Sequence, residues 1–317
     1  MFAMSELRTQ KIILPGGAGL VGQNLVAGLK ARGYSNIVVL DKHHENLAIL
    51  EQVQPDVFAE YADLAKPGDW QKHFTGAEVV VMLQAQIGGN DYQEFLRNNV
   101  KSTRNILDAI EENNVPFLVH ISSSVLESMA SDFYTKSKKD QEEMVLESGI
   151  PCLVLRPTLM FGWFDRKHLG WLSRFMKKVP IFPIPGHGRY MRQPLYAGDF
   201  CNIIISGIEK RITGKFNISG LEKIDYVDII REIKQATGSG TLILKIPYGL
   251  FHLLLRIWAV FDRDPPFTTQ QLSALVTPDE FEEIDWPGIF GVAATPFTQA
   301  IDLTFNDPTY SQIALDF

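Results

Sequence analysis

A chain of 317 residues, 45% hydrophobic and 21% charged, can bury one sizeable core, or a large domain with a smaller lobe beside it. A formal net charge of −7 argues against a nucleic-acid partner, because phosphate contacts need clustered Lys and Arg. Two cysteines, Cys152 and Cys201, offer neither a disulfide framework nor a metal knuckle, so a reducing cytoplasm is the expected setting and no metal is expected.

In chain order, the polar stretch Met1 to Gln10 has no apolar signal-peptide region. Short β-branched runs then alternate with longer helical segments. Lys11–Leu14 reads as a strand, Leu20–Arg32 as a helix and Ile37–Leu40 as a second strand. Further strands are expected at Val57–Glu60, Val79–Leu83, Phe117–Ser122 and Cys152–Leu155, with long helices near Tyr92–Glu112 and Tyr134–Ser148. Strands alternating with helices imply βαβ units, hence an α/β fold with a doubly wound parallel sheet of Rossmann type.

From Arg156 to Pro194 the chain is rich in Pro and aromatics, and two more strand–helix signals follow, Lys215–Ser219 and Tyr226–Gln235. Thr241 to Phe261 carries Leu253-Leu254-Leu255 but is interrupted by Lys245, Pro247, His252 and Arg256. It therefore lacks the ~20 apolar residues of a membrane span. A strand followed by a buried helix is the favoured reading, with a membrane-surface helix as the alternative. The expected division is 1–160 for a cofactor domain, rejoined by strands near 195–220, and 161–317 for a smaller substrate-binding lobe.

Gly16-Gly17-Ala-Gly19-Leu-Val-Gly22 lies between the first strand and the first helix. Glycines there permit a tight turn and close approach of a pyrophosphate, and the helix N-terminus offers unpaired N–H groups. Asp41 ends the second strand, where a carboxylate would accept from ribose hydroxyls and repel a 2′-phosphate, favouring NAD over NADP. Asp41 also suits a strand-end turn, and Lys42, His43 and His44 leave room for NADP. The two histidines are read as part of a solvated loop.

Tyr134 and Lys138 lie four apart at the start of a helix, so phenol and ammonium share a face. A free phenol titrates near ~10, and a nearby cation lowers that value toward neutrality. Upstream, the strand Phe117–Ile121 runs into Ser122-Ser123-Ser124, which places hydroxyls where ligands bind in open α/β sheets.

Together these elements resemble the extended short-chain dehydrogenase/reductase family, near its NAD-dependent nucleotide-sugar epimerase and reductase branch, from about Lys11 to Gln235. The glycine run matches the family fingerprint with Pro15 in place of its threonine, and Asn98-Asn99-Val-Lys-Ser-Thr-Arg-Asn-Ile-Leu is similar to its asparagine helix. The resemblance implies Ser124, Tyr134 and Lys138 as catalytic residues. It implies cofactor contacts from Gly16, Gly19, Leu20, Val21, Gly22, Asp41, Asp63, Leu64, Leu83, Ala85, Asn99, Tyr134, Lys138 and Pro157. Substrate contacts are implied for Gln86, Ser124 and Arg192, with His187 and Arg189 assisting Arg192 at a diphosphate. Only ten positions separate Ser124 from Tyr134, and Val125-Leu126-Glu127 replaces the Thr-Asp-Glu of 4,6-dehydratases, so 4,6-dehydration is not expected.

The implied function is hydride transfer at a sugar carbon of a nucleotide-sugar, with Tyr134 as acid/base and a homodimer formed through the two long helices. A reductase or dehydrogenase of another hydroxyl or keto substrate, and a non-catalytic scaffold that binds NAD(P), stay open.

Overall fold

The computed structural model describes residues 8–127, 132–261, 269–276 and 283–315. The polar start of the chain, residues 1–7, lies outside them. The main sheet is parallel and seven-stranded, in the order β11-β6-β5-β4-β1-β2-β3. Its strands are β1 Ile12–Pro15, β2 Ile37–Asp41, β3 Phe58–Tyr61, β4 Val79–Met82, β5 Leu118–Ile121, β6 Cys152–Pro157 and β11 Gly214–Ile218.

Side chains of a strand point alternately to the two faces, and here both faces are covered. Ile12, Leu14, Val39, Val79 and Val81 join one core with Leu25, Val26 and Leu29 of α1 (Leu20–Ala31) and Ile203–Ile205 of the helix Ala197–Lys210. Ile13, Val38, Val80 and Met82 face the other way, onto Ile106, Ala109 and Ile110 of the helix Ser102–Glu112 and Val145 of the helix Phe133–Glu147. Ile106, Leu107, Ile110 and Val145 of the two long helices are thus buried against the sheet of their own chain.

Strand order reverses between β1 and β4, the switch point at which open α/β sheets bind ligands beyond their strand C-termini. Residues 197–218 return to this unit, because β11 pairs with β6 from Gly214↔Leu153 to Ile218↔Pro157.

A separate cluster that includes Phe161, Leu169, Met176, Phe182, Ile230, Ile233 and Ile301 forms a second core. Around it stand the helices Leu169–Lys178, Tyr226–Thr237 and Phe297–Asn306, and a parallel two-stranded sheet of β8 (Ile181–Pro185) and β13 (Leu242–Ile246). Thr241 to Phe261 does form a strand and then a helix, Tyr248–Phe261. The helix is not buried, however: Leu250, Leu253, Ile257 and Trp258 are each about half exposed. Among the described residues, no helix is long and apolar enough to cross a membrane.

Candidate active site

The loop after β1 closes tightly against the start of the segment that follows β4. Gly16 has φ +76°, and a Cβ there would lie 2.4 Å from the Gln84 backbone, so a side chain is excluded on both counts. A Cβ on Gly22 would meet Gly17 O at 2.2 Å, which lets α1 pack onto the loop. At Gly19 the nearest atom to an added Cβ is 3.8 Å away, and Gly19, Leu20 and Val21 stay partly open. Helix α1 begins there with no side-chain cap and no acidic residue in its first turn. Its first N–H groups and positive dipole end are therefore available to a phosphate, and the loop fits a dinucleotide.

Asp41 stands beside this loop at the end of β2. One carboxylate oxygen accepts from Ala18 N–H at 3.0 Å, the other from His43 N–H at 3.1 Å. Each oxygen has a second lone pair for a ligand hydroxyl, and both readings of this residue, turn former and ribose acceptor, are compatible with its geometry. Asp63, just past β3, pairs with Arg97 and Lys66, and buried Leu64 accepts from Asn105 through its carbonyl. Lys42 is in the field of Arg97, Asp63 and Asp41, and burial pulls its pKa down. His44, read as part of a solvated loop, instead opens the helix His44–Val53 and stacks on Tyr61 with centroids 4.2 Å apart.

Leu83 extends β4 by donating its N–H to Pro15 O at 2.9 Å, and Ala85 is exposed next to it. The long second helix is not a regular α-helix. Between Tyr92–Phe95 and Ser102–Glu112 it runs as a π-helical segment, Leu96–Lys101, an irregularity found mostly at functional sites. This segment turns two adjacent asparagines to the same loop. Asn98 donates to Gln86 Oε1 at 2.8 Å, while Asn99 accepts from Gln86 N–H at 2.6 Å and donates to Ser137 Oγ at 2.8 Å. Asn99 has no accessible surface. It shapes the site by tying the loop after β4 to the helix that carries Tyr134.

That helix, Phe133–Glu147, is capped by Asp132, whose carboxylate accepts from Thr135 N–H at 2.8 Å. The Tyr134 hydroxyl is hydrogen-bonded to Ser123, next to the expected partner Ser124, which is buried at the start of a short 3₁₀ turn. Burial raises the phenol's pKa, the Ser123 bond opposes this, and the Asp132 charge adds to it. The sequence led us to expect a phenol lowered by Lys138. The structure shows Lys138 turned elsewhere, donating to Ile121 O at 2.7 Å and to Gln141 Oε1 at 2.6 Å. Burial brings the Lys138 ammonium down to about 7, against the pull of Glu142, so at neutral pH it is a weak source of positive field.

One turn on, Glu142 joins three elements. It accepts from Ser122 Oγ at 2.5 Å and from Arg156 Nε and Nη2 at 2.9 and 2.5 Å, while Arg156 also pairs with Glu127. Burial alone would raise the Glu142 carboxyl, but the Arg156 and Ser122 bonds outweigh it and hold the pKa down. This bidentate pair locks the ends of β5 and β6 to the Tyr134 helix, and Pro157 closes β6 immediately after it. The buried Glu142 was not singled out in the sequence; its only signal there is its position four residues after Lys138.

Arg192 lies on the two-residue strand β9 (Met191–Arg192), paired with β12 (Ile224–Asp225). Its guanidinium donates to Met191 O at 2.7 Å and to Leu275 O. It connects to the strand ends through its neighbour Gln193, whose carbonyl accepts from Thr158 Oγ1 at 3.3 Å. In the preceding turn the His187 ring lies tilted against Tyr190, with centroids 4.9 Å apart, and accepts from Arg189 N–H through Nδ1.

The chain is similar to several known proteins. The chain is 23% identical over 282 residues to a 3beta-hydroxysteroid-dehydrogenase/decarboxylase of Arabidopsis thaliana, covering 78% of this chain and 50% of that protein. It therefore spans half the length of that relative. A ceramide reductase of Caulobacter vibrioides is 22% identical over 240 residues, covering 74% of this chain and 73% of the relative. A Bordetella bronchiseptica enzyme solved in complex with NAD superposes with a TM-score of 0.73 over 98% of both chains at 16% identity, a likeness of fold. Residues 12–219, from β1 through the returning strand β11, match the NAD dependent epimerase/dehydratase family, and the chain is an enzyme of that family.

Proposed function

We propose that this enzyme exchanges a hydride with a hydroxyl-bearing or keto carbon, with Tyr134 exchanging the proton at the oxygen. NAD, bound along the strand ends, supplies the hydride acceptor or donor. Gly16, Gly19 and Gly22 with the first turn of α1 would hold its pyrophosphate, and Asp41 its ribose. Asp63, Leu64, Leu83, Ala85 and Pro157 would line it. The observation that carries the reading is that Asn99 ties the loop beside that cradle, at Gln86, to Ser137 on the helix of Tyr134.

The Tyr134 phenol is protonated at neutral pH, and burial raises its pKa further, so the resting residue is ready to donate to a carbonyl oxygen. Ser123 fixes the phenol and Ser124 would hold the substrate oxygen. Lys138, which titrates near neutrality, would hold the nicotinamide ribose through its amino group. Residues 1–160 with the returning segment would form the cofactor half, and 161–317 the substrate half. A cytoplasmic setting suits the two free thiols Cys152 and Cys201. A homodimer would have to form through the outer faces of the two long helices, where Leu146 is exposed.

A nucleotide-sugar held by Gln86, Ser124 and Arg192 is one substrate class in keeping with the family. A specific observation favours a second. The Arg192 guanidinium is engaged by two backbone carbonyls at the edge of an apolar cavity, and the steroid and ceramide relatives act on apolar molecules by name. The test supplies NAD or its reduced form with UDP-sugars and, separately, with secondary alcohols and ketones, and follows reduced-nicotinamide absorbance. Hydride exchange abolished by Tyr134→Phe supports the proposal. Exchange that survives Tyr134→Phe undiminished refutes the role of the phenol.

A further inference from the structure

The second lobe holds a cavity of about 520 Å³ that the chemistry at the strand ends does not use. Its walls come from the helices Leu169–Lys178 and Tyr248–Phe261 and from strand β8, with Trp171, Phe175, Phe182, Leu254 and Trp258 among them. Among the described residues, no charged side chain lines it. Protein interiors pack densely and leave few voids larger than a water, so an apolar hollow of this size calls for an occupant. Ligand sites fall between about 300 and 1,000 Å³, and water is a poor filling where it finds no polar partners.

Tyr226 lines the cavity and feels the charge of Arg192, and Leu275, which also lines it, gives its carbonyl to the Arg192 guanidinium. Arg192 is followed by Gln193, bonded to Thr158 just past the end of β6. The Arg192–Tyr226 edge of the cavity is thus linked through Gln193 and Thr158 to the end of β6. Leu254, Ile257 and Trp258 are both lining and about half exposed, so the hollow opens to the surface along this helix.

We infer that this cavity seats the apolar chain of the substrate, an alkyl or isoprenoid tail whose polar head lies at the Arg192–Tyr226 end. The inference rests on the hydride-transfer reading and names its substrate class. A methylene takes about the space of a water in the liquid, ~30 Å³, so the cavity has room for a tail of roughly 15 carbons.

The experiment uses the full chain with a series of secondary alcohols and ketones of rising length, and an 18-carbon conjugated tetraene alcohol whose fluorescence rises in apolar surroundings. Each added methylene should lower KM about fourfold until the cavity is full, with kcat nearly flat. The tetraene should bind one per chain and be displaced by the long alcohols. Leu254→Asp should weaken the tetraene at least tenfold and lower the ratio of long- to short-chain kcat/KM at least tenfold, while Leu254→Met keeps both. Tetraene binding that Leu254→Asp leaves unchanged, a KM indifferent to length, or association with phosphatidylcholine vesicles without displaceable one-to-one binding would overturn the inference. The two readings fail separately. Displaceable tetraene binding without turnover of any alcohol or ketone fails the hydride reading and leaves the cavity's ligand class. Length-independent turnover without tetraene binding fails the cavity alone.

Discussion

Replacing Lys138 with Met should make the variant's stability relative to wild type fall as pH rises, while damaging the enzyme. The Lys138 side chain is 1% exposed, and burial brings its pKa from 10.5 to about 7. That fall corresponds to about 5 kcal/mol of penalty on the charged form when the amine is protonated in both folded and unfolded chains. The sign follows from proton counts. Between pH 7 and 10.5 the unfolded chain holds the proton and the folded chain does not, so stability from this group rises with pH across that window. Below pH 7 the penalty is present in full, and above 10.5 it vanishes. Met carries no such penalty, but it cannot donate to Ile121 O or Gln141 Oε1, a loss of ~1–3 kcal/mol for each acceptor left unpaired. The stability of Lys138→Met minus that of wild type should therefore fall by about 4 kcal/mol between pH 6 and pH 10. Urea unfolding at pH 6, 8 and 10 measures the difference, and effects of all other groups cancel in the subtraction. A difference that does not change with pH would mean that Lys138 is not buried in the way its hydrogen bonds indicate.

Ser123→Ala should move the pH–rate profile toward higher pH by removing the bond that lowers the Tyr134 pKa, whereas Ser124→Ala should act mainly on KM; identical profiles for the two would undo the division of roles. Asp41→Ala should narrow the preference for NAD over NADP in calorimetric titration, and a wild type that already prefers NADP would refute the ribose assignment. Glu142→Gln should destabilise the chain by ~3–5 kcal/mol in denaturant unfolding, as expected when one partner of a buried ion pair is lost, with an unchanged midpoint as the refuting result.

Much of the cofactor half was legible from sequence because its signals are local. Runs such as Ile37–Asp41 and Val79–Met82 are β-branched and bounded by turns, and a strand followed by spaced glycines has few other uses. Contacts set by three-dimensional packing were not legible. Nothing local says that Leu96–Lys101 winds as a π-helix, that Lys138 turns to Ile121, or that Ser123 is the serine paired to the phenol. The leucines of Tyr248–Phe261 mark a different limit. Hydrophobic periodicity shows that a face should be covered, without showing whether protein or ligand covers it. A buried helix was therefore the reasonable expectation, and the half-exposed leucines beside the cavity are where it failed.

The central claim, direct hydride exchange at a carbon whose oxygen is served by Tyr134, is tested most directly by isotope transfer. The wild-type enzyme is incubated with NAD and an alcohol deuterated at its carbinol carbon, drawn from the UDP-sugar and secondary-alcohol panels, and the nicotinamide is examined by mass spectrometry. The account predicts deuterium on the reduced nicotinamide, with the rate of transfer falling roughly 10²-fold or more in Tyr134→Phe while NAD affinity stays near wild type. Substrate turnover that leaves the label at carbon or releases it to water, with none on the nicotinamide, would contradict it.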